Sequence, residues 1–413
     1  MRDFLKMVAL DLDNVQNGEE IQIRKSCAIE EMTINSTLSP KNQCGSSRSV
    51  ANQFYILCGT FNVNNRQIPS NSDFTEWLCP STTQIPSLIA VGLQEIANTG
   101  NISFSQNDKI EGDEWENIIN KTIENCSNVQ QNQYKLISRV RLLGMLLFVY
   151  VERKHYDQCK LISTAFIPTG FMNIFGNKGG VGIRFRFHNQ DLCFINCHLT
   201  AGDNQLEKRN DDYKTIESRM TFMHRENIPK WWKIDDHDII FWFGDMNYRL
   251  AHPNEQVRQA IKQLSFIPLK EKDQLQCQIK LGKVFQNYHE PPINFLPTYK
   301  FNINTDVYDT SEKFRTPSWT DRILYKFNHE HYDVKSHYYN SSPSIRFSDH
   351  RPVSALFSVT MKHSHDENNT RRMEQKESSL KLATEQNLVK MMYDSLADPT
   401  INVVYNPLPN GPL

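Results

Sequence analysis

Several apolar segments of this chain end in polar residues of the types that hold metal ions and move protons. These residues are Asn62 and Asn64, Gln94 and Glu95, His198, Asp245 and Asn247, Asp321 and Arg322, and Asp349 and His350. Loops at strand ends bring polar groups together on a rigid base, so ligand sites gather there in sheet-based folds. Each residue alone is more typical of a turn or a helix cap than of a catalytic site. The set as a whole predicts a single site.

The residue types at this predicted site favour a hard divalent cation. Carboxylates and amides supply oxygen ligands, which Mg²⁺ prefers and supplements with bound water. The 9 cysteines include no C-x-x-C pair, which argues against zinc and is typical of free thiols in a reducing compartment. We therefore expect Mg²⁺ as the cofactor and reduced cysteines.

Basic and glycine-rich segments indicate a phosphate ligand. "GNKGG" places Asn177 and Lys178 in a tight loop whose N–H groups can hold an oxyanion, although an ordinary glycine turn fits equally well. "PTYKF" and "SEKFRTP" add the basic and tyrosine side chains Tyr299, Lys300, Lys313 and Arg315. Beside a metal centre such a loop predicts binding of a phosphate other than the one being cut, and elsewhere it would be a solvated hairpin.

The site must be positioned by the apolar segments that precede it. Eight runs have the length and the β-branched or aromatic content of strands, namely 54–61, 87–96, 142–152, 179–187, 192–199, 238–245, 318–325 and 352–359. Two groups of apolar residues recur at helical spacing: Leu206, Tyr213, Ile216, Met220 and Met223, and then Val257, Ile261 and Leu264 behind Pro253. Strands and helices without a strict βαβ rhythm predict an α/β sandwich of mixed sheets covered by helices.

The composition limits the classes of partner. With 46 basic and 47 acidic residues and a net charge of −1, the chain has no bulk attraction for nucleic acid or an anionic membrane. Neither a signal peptide nor an apolar run long enough to cross a membrane is recognisable, which predicts a soluble intracellular protein with at most peripheral membrane contact. Residues 1–50 predict a flexible polar lead-in, and residues 361–413 a polar tail with a short helix near 379–396.

Two long motifs resemble the signatures of the type II inositol polyphosphate 5-phosphatases. "WFGDMNYRL" resembles W-x-G-D-x-N-Y-R, and "PSWTDRIL" resembles P-x-W-C-D-R-I-L. "GTFNVN", "VGLQEI", "GNKGGV", "PTYK" and "SDHRPV" follow the order of that family. The resemblance covers residues 51–360, the predicted catalytic domain. "RLLGMLLFVYV", "RFRFHN" and "DTSEKFRTPSWTDRIL" are most similar to the Lowe syndrome (oculocerebrorenal) subfamily.

The resemblance implies a fold and a reaction. The fold is DNase I-like (endonuclease/exonuclease/phosphatase), a four-layer sandwich of two mixed β-sheets flanked by helices. The reaction is Mg²⁺-dependent removal of the 5-phosphate from PtdIns(4,5)P2, PtdIns(3,4,5)P3 or soluble inositol polyphosphates by in-line attack of water. The implied protein is a cytoplasmic monomer, peripherally associated with endomembrane or plasma membrane, that binds a phosphoinositide headgroup or a soluble inositol phosphate and no nucleic acid.

The resemblance also assigns roles to individual residues. Glu95 is the expected principal metal ligand, with Asn62 and Asp349 beside it. Asp245 would orient and deprotonate the attacking water, Asn247 would hold that water and the phosphoryl oxygens, and the donors to the scissile phosphate would be His198 and His350, the latter steadied by Asp321. The residues assigned to the substrate are Asn177 and Lys178 at the 1-phosphate, Tyr299, Lys300, Lys313 and Arg315 at the 4-phosphate, and Asn64 and Arg322.

Three departures from the family pattern concern two single positions and one short segment. Thr320 stands in place of the signature cysteine and is expected to support rather than react, and Gly202 replaces a frequent second histidine. The apolar residues of "FMNIF" either rest in lipid or form a buried turn. Tyr248 and Arg249 either brace the loop or touch phosphate.

Two other functions fit part of the pattern. Another DNase I-like phosphodiesterase would have no need of the "PTYK" and "SEKFR" segments. A phosphoinositide-binding pseudoenzyme or scaffold would have no need of competent residues at every expected catalytic position.

Overall fold

Thirteen strands and six helices occupy the part of the chain that the computed structural model describes, residues 53–69, 72–79, 84–96, 114–126, 133–170, 178–224 and 230–362. The strands are β1 (Gln53–Asn62), β2 (Leu88–Gln94), β3 (Tyr134–Leu142), β4 (Met145–Glu152), β5 (Cys159–Pro168), β6 (Gly179–Phe187), β7 (Gln190–His198), β8 (Thr221–His224), β9 (Lys230–Lys233), β10 (Ile239–Asp245), β11 (Asp321–Phe327), β12 (Tyr332–Ser341) and β13 (Val353–Met361). The helices are α1 (Thr75–Leu78), α2 (Glu114–Glu124), α3 (Leu206–Arg219), α4 (Asn254–Lys262), α5 (Ile267–Lys270) and α6 (Gln274–Lys280).

The strands form two large sheets and one small one. The first sheet has the order β12-β13-β1-β2-β4-β3, the second β11-β10-β7-β6-β5, and β8 pairs with β9. Both large sheets are mixed, because β1 and β2 run parallel in the first and β7 and β10 run parallel in the second, while their other neighbours are antiparallel.

Alternation of side chains along the central strands builds the four layers. In β10, Phe241 and Phe243 point into the core between the two sheets, whereas Ile240 and Trp242 pack under the helices on the outer face. Helix α3 covers that face with Tyr213. The first sheet is covered in the same way by α1 and α2. A strand buried on both faces has no polar side to show in its sequence, so β10 appears there as a continuous apolar run.

The structure confirms the predicted α/β sandwich and each of the eight predicted strands, with shifts at their ends. Five strands were missed: β8 and β9, which form the small sheet, and β3, β5 and β12, each of which lies at an edge of a large sheet. Side chains of an edge strand are only half covered, so polar and apolar residues mix and no apolar run forms. The first predicted helix ends at Arg219, and Met223 belongs to β8. In the second, Pro253 caps α4, while Leu264 lies beyond that helix with a φ of 53°.

The described residues all fall in one compact unit. The predicted lead-in at 1–50 and the tail with its helix near 379–396 lie outside the described residues. Over the described ranges, no helix has both the length and the apolar character needed to cross a bilayer.

The prediction that all the cysteines are free thiols is wrong. Cys79, which follows α1, forms a disulfide with Cys126, which lies just beyond α2. Cys79 and Cys126 are far apart in sequence and meet only because α1 and α2 pack together. Such a pair forms no short motif such as C-x-x-C, so the sequence pattern does not show it. The thiols of Cys58, Cys193 and Cys197 are free and buried.

A buried ionic cluster lies near the start of β7, away from the strand end at His198. Arg184 is fully buried, stacks on the ring of Trp232 at 4.0 Å, and donates from Nε to His237 Nε2 at 3.1 Å. Its Nη2 donates to Asp191 at 2.5 Å. Burial, only partly opposed by a backbone hydrogen bond, lowers the pKa of His237 to about 4. A neutral imidazole is therefore part of the folded state.

Candidate active site

The ends of β1, β2, β7, β10 and β11 bring polar side chains to one edge of the sandwich. Asp245 ends β10, and its register partners are His198 at the end of β7 and Asp321 at the start of β11. On the facing sheet, β1 ends at Asn62 and Glu95 directly follows β2. These residues therefore lie close together at one edge, where the two sheets meet.

Asp245 lies at the centre of this cluster. Its Oδ2 accepts from Asn62 Nδ2 at 2.9 Å and lies 3.2 Å from His198 Nε2. Its Oδ1 accepts from the backbone N–H of Asn247 at 3.0 Å. Only 1% of Asp245 is exposed. A carboxylate held this firmly, with donors on both oxygens, has a fixed direction for any further hydrogen bond.

The surroundings of Asp245 keep it ionised. Burial alone would raise its pKa, but the hydrogen bond with His198 and the positive charge of His350 outweigh burial and hold the pKa well below its ordinary value. Burial and the neighbouring ammonium group of Lys178 lower the pKa of His198. Since a neutral His198 contributes no net charge, we attribute the ionised state of Asp245 chiefly to His350.

His350 and Asp321 form a buried imidazole–carboxylate pair. His350 Nδ1–H donates to Asp321 Oδ2 at 2.9 Å, and Thr298 and Thr320 donate to the same oxygen at 2.6 and 2.8 Å. Burial acts to lower the pKa of His350, but the charge and hydrogen bond of Asp321 raise it to about 9. The pair thus presents a positive imidazolium Nε2–H. Thr320 supports Asp321, as expected from its place in the signature.

Asn247 is held by contacts at both ends of its amide. Its Nδ2 donates to the carbonyl of Leu199 at 3.1 Å, and its Oδ1 accepts from Arg249 Nη2 at 2.6 Å. Arg249 also donates from Nε to the carbonyl of Asn247 at 3.0 Å and stacks on the ring of Tyr299 at 4.4 Å. Arg249 therefore braces the loop, one of the two roles that the sequence left open for it.

Glu95 has the properties of a metal ligand. Its side chain is 32% exposed, whereas that of Asp245 is 2% exposed. Asn62 Nδ2 donates to Glu95 Oε1 at 3.2 Å, while its Oδ1 accepts from the backbone of Asn64 at 2.9 Å. The amide nitrogen of Asn62 thus orients Glu95, whereas the amide oxygen of Asn62 is occupied by the backbone N–H of Asn64. Asp349, whose side chain is 10% exposed and lies 3.3 Å from Lys300 Nζ, is the other carboxylate predicted for the metal. This oxygen donor set fits a hard divalent cation.

A second group of potential ligands is less suited to a cation. Asp245, Asp321 and His350 have ligand atoms within 4.8 Å of one another. However, His350 Nδ1 is already bonded to Asp321, and its raised pKa keeps the ring protonated near neutral pH. A protonated imidazole repels a metal ion, so we assign this group to holding a proton.

The predicted phosphate-binding residues lie beside this cluster and are linked to it. The rings of Tyr299 and His350 are 4.5 Å apart, and Lys300 Nζ lies 3.3 Å from Asp349. The backbone N–H of Asp309 donates to the carbonyl of Lys300 at 2.8 Å, and its carboxylate accepts from the backbone N–H of Arg315 at 2.8 Å. These bonds fix the basic loop next to Lys300.

Four other predicted substrate residues differ in where they lie. Lys178 precedes β6, and its ammonium group contacts His198 Nε2, so it lies within the catalytic cluster. Asn64 has a φ of 52° and is partly exposed beside Asn62. Asn177 and the apolar "FMNIF" segment lie outside the described residues. Lys313 is exposed on the basic loop.

The assignment of Arg322 to substrate binding is wrong. Arg322 is fully buried, and its guanidinium group donates to Asp273 at 2.8 Å and to Glu290 at 2.6 Å. Both acids are themselves almost completely buried. Side chains alternate between faces along β11, so Arg322 points away from the face to which Asp321 points. The sequence signature placed the two residues together, and the strand separates them.

Two residues of the site were missed or left undecided by the sequence. Thr298 lies immediately before "YKF" and orients Asp321, but a lone threonine before a tyrosine carries no recognisable signal. The bracing role of Arg249 depends on contact with Tyr299, 50 positions later in the chain, and no local pattern shows it.

Comparisons with known proteins show the family of this chain. Residues 59–356 match the model of endonuclease/exonuclease/phosphatase family 2. The chain is 36% identical over 329 residues to polyphosphatidylinositol phosphatase INP53 of Saccharomyces cerevisiae, an alignment covering 78% of this chain and 28% of that protein. It is 34% identical over 307 residues to type II inositol 1,4,5-trisphosphate 5-phosphatase of Mus musculus, covering 74% and 30%. The chain thus spans less than a third of the length of these relatives.

Solved structures extend the comparison to three dimensions. The inositol polyphosphate 5-phosphatase domain of SPsynaptojanin, in complex with inositol (1,4)-bisphosphate and calcium ion, is 34% identical, with a TM-score of 0.64 and coverage of 79% of this chain and 93% of that one. A Cimex nitrophorin in its ferrous NO complex is 29% identical, with a TM-score of 0.57 and coverage of 75% and 99%. Because the family model spans most of the described chain and the 5-phosphatase domain aligns almost from end to end, the chain belongs to the endonuclease/exonuclease/phosphatase family and, within it, to the inositol polyphosphate 5-phosphatases.

Proposed function

We propose that this chain is an Mg²⁺-dependent phosphatase that removes the 5-phosphate from inositol phosphates or phosphoinositides carrying a 4-phosphate. One observation carries the proposal. The ionised Asp245 and the His350–Asp321 pair lie in one cluster, and the ring of Tyr299 packs on His350 at 4.5 Å, so the phosphate-binding loop continues directly from the catalytic residues.

Asp245 is suited to direct the attacking water. A phosphate monoester repels nucleophiles through its negative charge, so a site must fix the water in line and neutralise the phosphoryl oxygens. Asp245 accepts a hydrogen bond from the water and takes up its proton as the bond from the water oxygen to phosphorus forms and the bond from phosphorus to the inositol 5-oxygen breaks; the released 5-oxygen then gains a proton from solvent. Because its pKa is held low, Asp245 contributes more by orienting the water than by its basicity.

The imidazolium of His350 and the ammonium of Lys178 neutralise the phosphoryl oxygens. Asp321 keeps His350 protonated, so its Nε2–H is a charged donor near neutral pH. Lys178 contacts His198 and adds a second positive charge to the same cluster. Charged donors fixed before the substrate arrives need no reorganisation during the reaction.

Glu95 and Asp349 are the residues that would hold the metal ion. When bound, a divalent cation supplies Lewis-acid stabilisation of negative charge on the phosphoryl and leaving oxygens. Mg²⁺ is proposed from the oxygen donor set, and the related 5-phosphatase domain contains calcium ion.

The basic loop is proposed to bind the 4-phosphate. Tyr299, Lys300, Lys313 and Arg315 lie on the segment fixed by Asp309 beside His350. The related domain of SPsynaptojanin is bound to inositol (1,4)-bisphosphate, the compound left when a 1,4,5-trisphosphate loses its 5-phosphate. Binding energy from a phosphate that does not react would position the 5-phosphate.

Two alternatives keep the fold but change the function. The Cimex nitrophorin, at 29% identity, was solved as an NO complex, so similarity at that level is compatible with a different function. A pseudoenzyme would bind inositides without turnover. Another phosphodiesterase of this fold would cut nucleic acid.

Phosphate release from a substrate panel tests the proposal. The panel contains inositol 1,4,5-trisphosphate, short-chain PtdIns(4,5)P2 and PtdIns(3,4,5)P3, single-stranded DNA and abasic DNA, each with Mg²⁺, with Ca²⁺ and with EDTA. We expect release from the inositides with Mg²⁺ and none with EDTA. Inositide binding without release would favour the pseudoenzyme, and cleavage of DNA the phosphodiesterase.

The finer assignments are also proposals. INP53 and the type II 5-phosphatase have nearly equal identity to the chain, so membership of the Lowe syndrome subfamily stays a prediction from sequence. Peripheral membrane contact and a monomeric state are tested by liposome co-sedimentation and light scattering. The cytoplasmic location also stays a prediction, and the Cys79–Cys126 disulfide weighs against it because disulfides are rare in reducing compartments.

A further inference from the structure

The guanidinium group of Arg315 is already paired with an acid in the free protein. Arg315 Nη1 donates to Asp203 Oδ2 in a contact between residues 112 positions apart. The Arg315 side chain is 29% exposed and that of Asp203 is 49% exposed, so the pair lies at the surface and is open to exchange. A ligand phosphate that binds Arg315 must therefore compete with a carboxylate.

The loop that carries Asp203 is held in place by hydrogen bonds from Arg209. Gly202 has a φ of 109°, a left-handed conformation that favours glycine, and its carbonyl accepts from Arg209 Nη1 at 2.6 Å. Arg209 is fully buried and also donates to the carbonyl of Thr200 at 3.3 Å. The backbone position of Asp203 is thus set by hydrogen bonds from a buried arginine, in contrast to an acid on a freely moving surface loop.

Arg315 is fixed from its own side as well. Its backbone N–H donates to the carboxylate of Asp309, and its carbonyl accepts from Arg258 Nη2 at 3.3 Å. Asp309 in turn bonds to the backbone of Lys300. Because both backbones are fixed, the fold itself places Asp203 in contact with Arg315 of the phosphate-binding loop.

We propose that Asp203 determines substrate specificity by competing with the 4-phosphate for Arg315. This inference rests on the proposed function, since it assumes that Arg315 meets that phosphate. A phosphate dianion offers more charge and a bidentate match to guanidinium, so it displaces the carboxylate, whereas a weakly charged group does not. Exposed ion pairs are weak, so the competition changes affinity by only about two- to fivefold.

Calorimetric binding of inositol 1,4-bisphosphate, with Mg²⁺ present, tests this role without requiring turnover. We expect Asp203→Asn to bind it about two- to fivefold more tightly than the unsubstituted protein at low salt, with the difference shrinking as salt is added. Inositol 1-phosphate, which lacks the 4-phosphate, should bind both proteins equally. Asp211→Asn removes an exposed acid, 72% exposed on α3, and is the matched control for net charge.

The outcomes separate this inference from the proposed function. Weaker binding by Arg315→Gln together with unchanged binding by Asp203→Asn overturns the role of Asp203 and leaves the phosphate-binding loop intact. Unchanged binding by Arg315→Gln overturns both. Equal tightening for inositol 1-phosphate, or an equal effect of Asp211→Asn, would show a general charge effect and also overturn the inference.

Discussion

Replacing Arg249 by methionine tests whether the catalytic amide must be braced. Arg249 donates two hydrogen bonds to Asn247, at 2.6 and 3.0 Å, and stacks on Tyr299 at 4.4 Å. Methionine keeps much of the apolar stem, but it leaves Asn247 Oδ1 without its donor. The amide is then anchored only through Nδ2, which donates to Leu199.

The size of the effect follows from these contacts. Hydrogen bonds from charged donors contribute roughly 1.5–3 kcal/mol each, and the guanidinium–ring contact adds roughly 0.5–2 kcal/mol. Removing the buried cation recovers part of this as desolvation free energy, so we expect a loss of about 2–4 kcal/mol in the free energy of unfolding. Misplacement of a positioned catalytic group by about 1 Å costs up to roughly 100-fold in rate. We therefore expect kcat to fall roughly 10- to 100-fold, with KM within about threefold.

The assay combines urea unfolding with steady-state release of phosphate from inositol 1,4,5-trisphosphate. Arg184→Met is the matched control, because Arg184 is also buried and stacked on an aromatic ring, at 4.0 Å from Trp232, but lies away from the site. That control should lose stability and keep its kcat. Arg249→Lys keeps the charge without the forked donors and should be intermediate. A kcat for Arg249→Met within twofold of the unsubstituted protein, measured where the variant is folded, would refute the bracing role.

Three further predictions concern the metal-binding and water-orienting carboxylates, the phosphate loop and acid stability. Glu95→Ala and Asp245→Asn should each lower kcat at least roughly 100-fold while the fold persists by circular dichroism, and a variant with near-normal turnover would exclude its residue. Lys300→Ala and Lys313→Ala should reduce kcat/KM roughly 10-fold on substrates with a 4-phosphate, and an equal loss on a simple aryl phosphate would contradict the loop's role. The folded pKa of His237, about 4, lies below its unfolded value of 6.5, so its contribution is complete above pH 6.5 and is lost as pH falls towards 4. This loss of stability is about 3 kcal/mol. Urea unfolding at pH 7 and 5 should therefore show a shallower pH dependence of the free energy of unfolding for His237→Gln than for the unsubstituted protein.

The sequence was most informative about the buried strands. Continuous apolar runs such as that of β10 arise because both faces of the strand are covered, and such runs are visible without any partner strand. It was least informative about the edge strands β3, β5 and β12, whose mixed composition follows from partial exposure. The Cys79–Cys126 disulfide was missed for a related reason, since only the packing of α1 and α2 brings the two thiols together.

By itself, the sequence determined the family, the central buried strands and most of the residues that could do chemistry, because residue type and local spacing encode these directly. Only the tertiary structure decided which of them meet. Asp321 and Arg322 are adjacent in the signature, yet one orients His350 and the other is buried with Asp273 and Glu290. Asp203 and Arg315 are far apart in sequence and form one contact. Strand pleating separates neighbours and loop packing joins distant residues, and neither is expressed in local sequence.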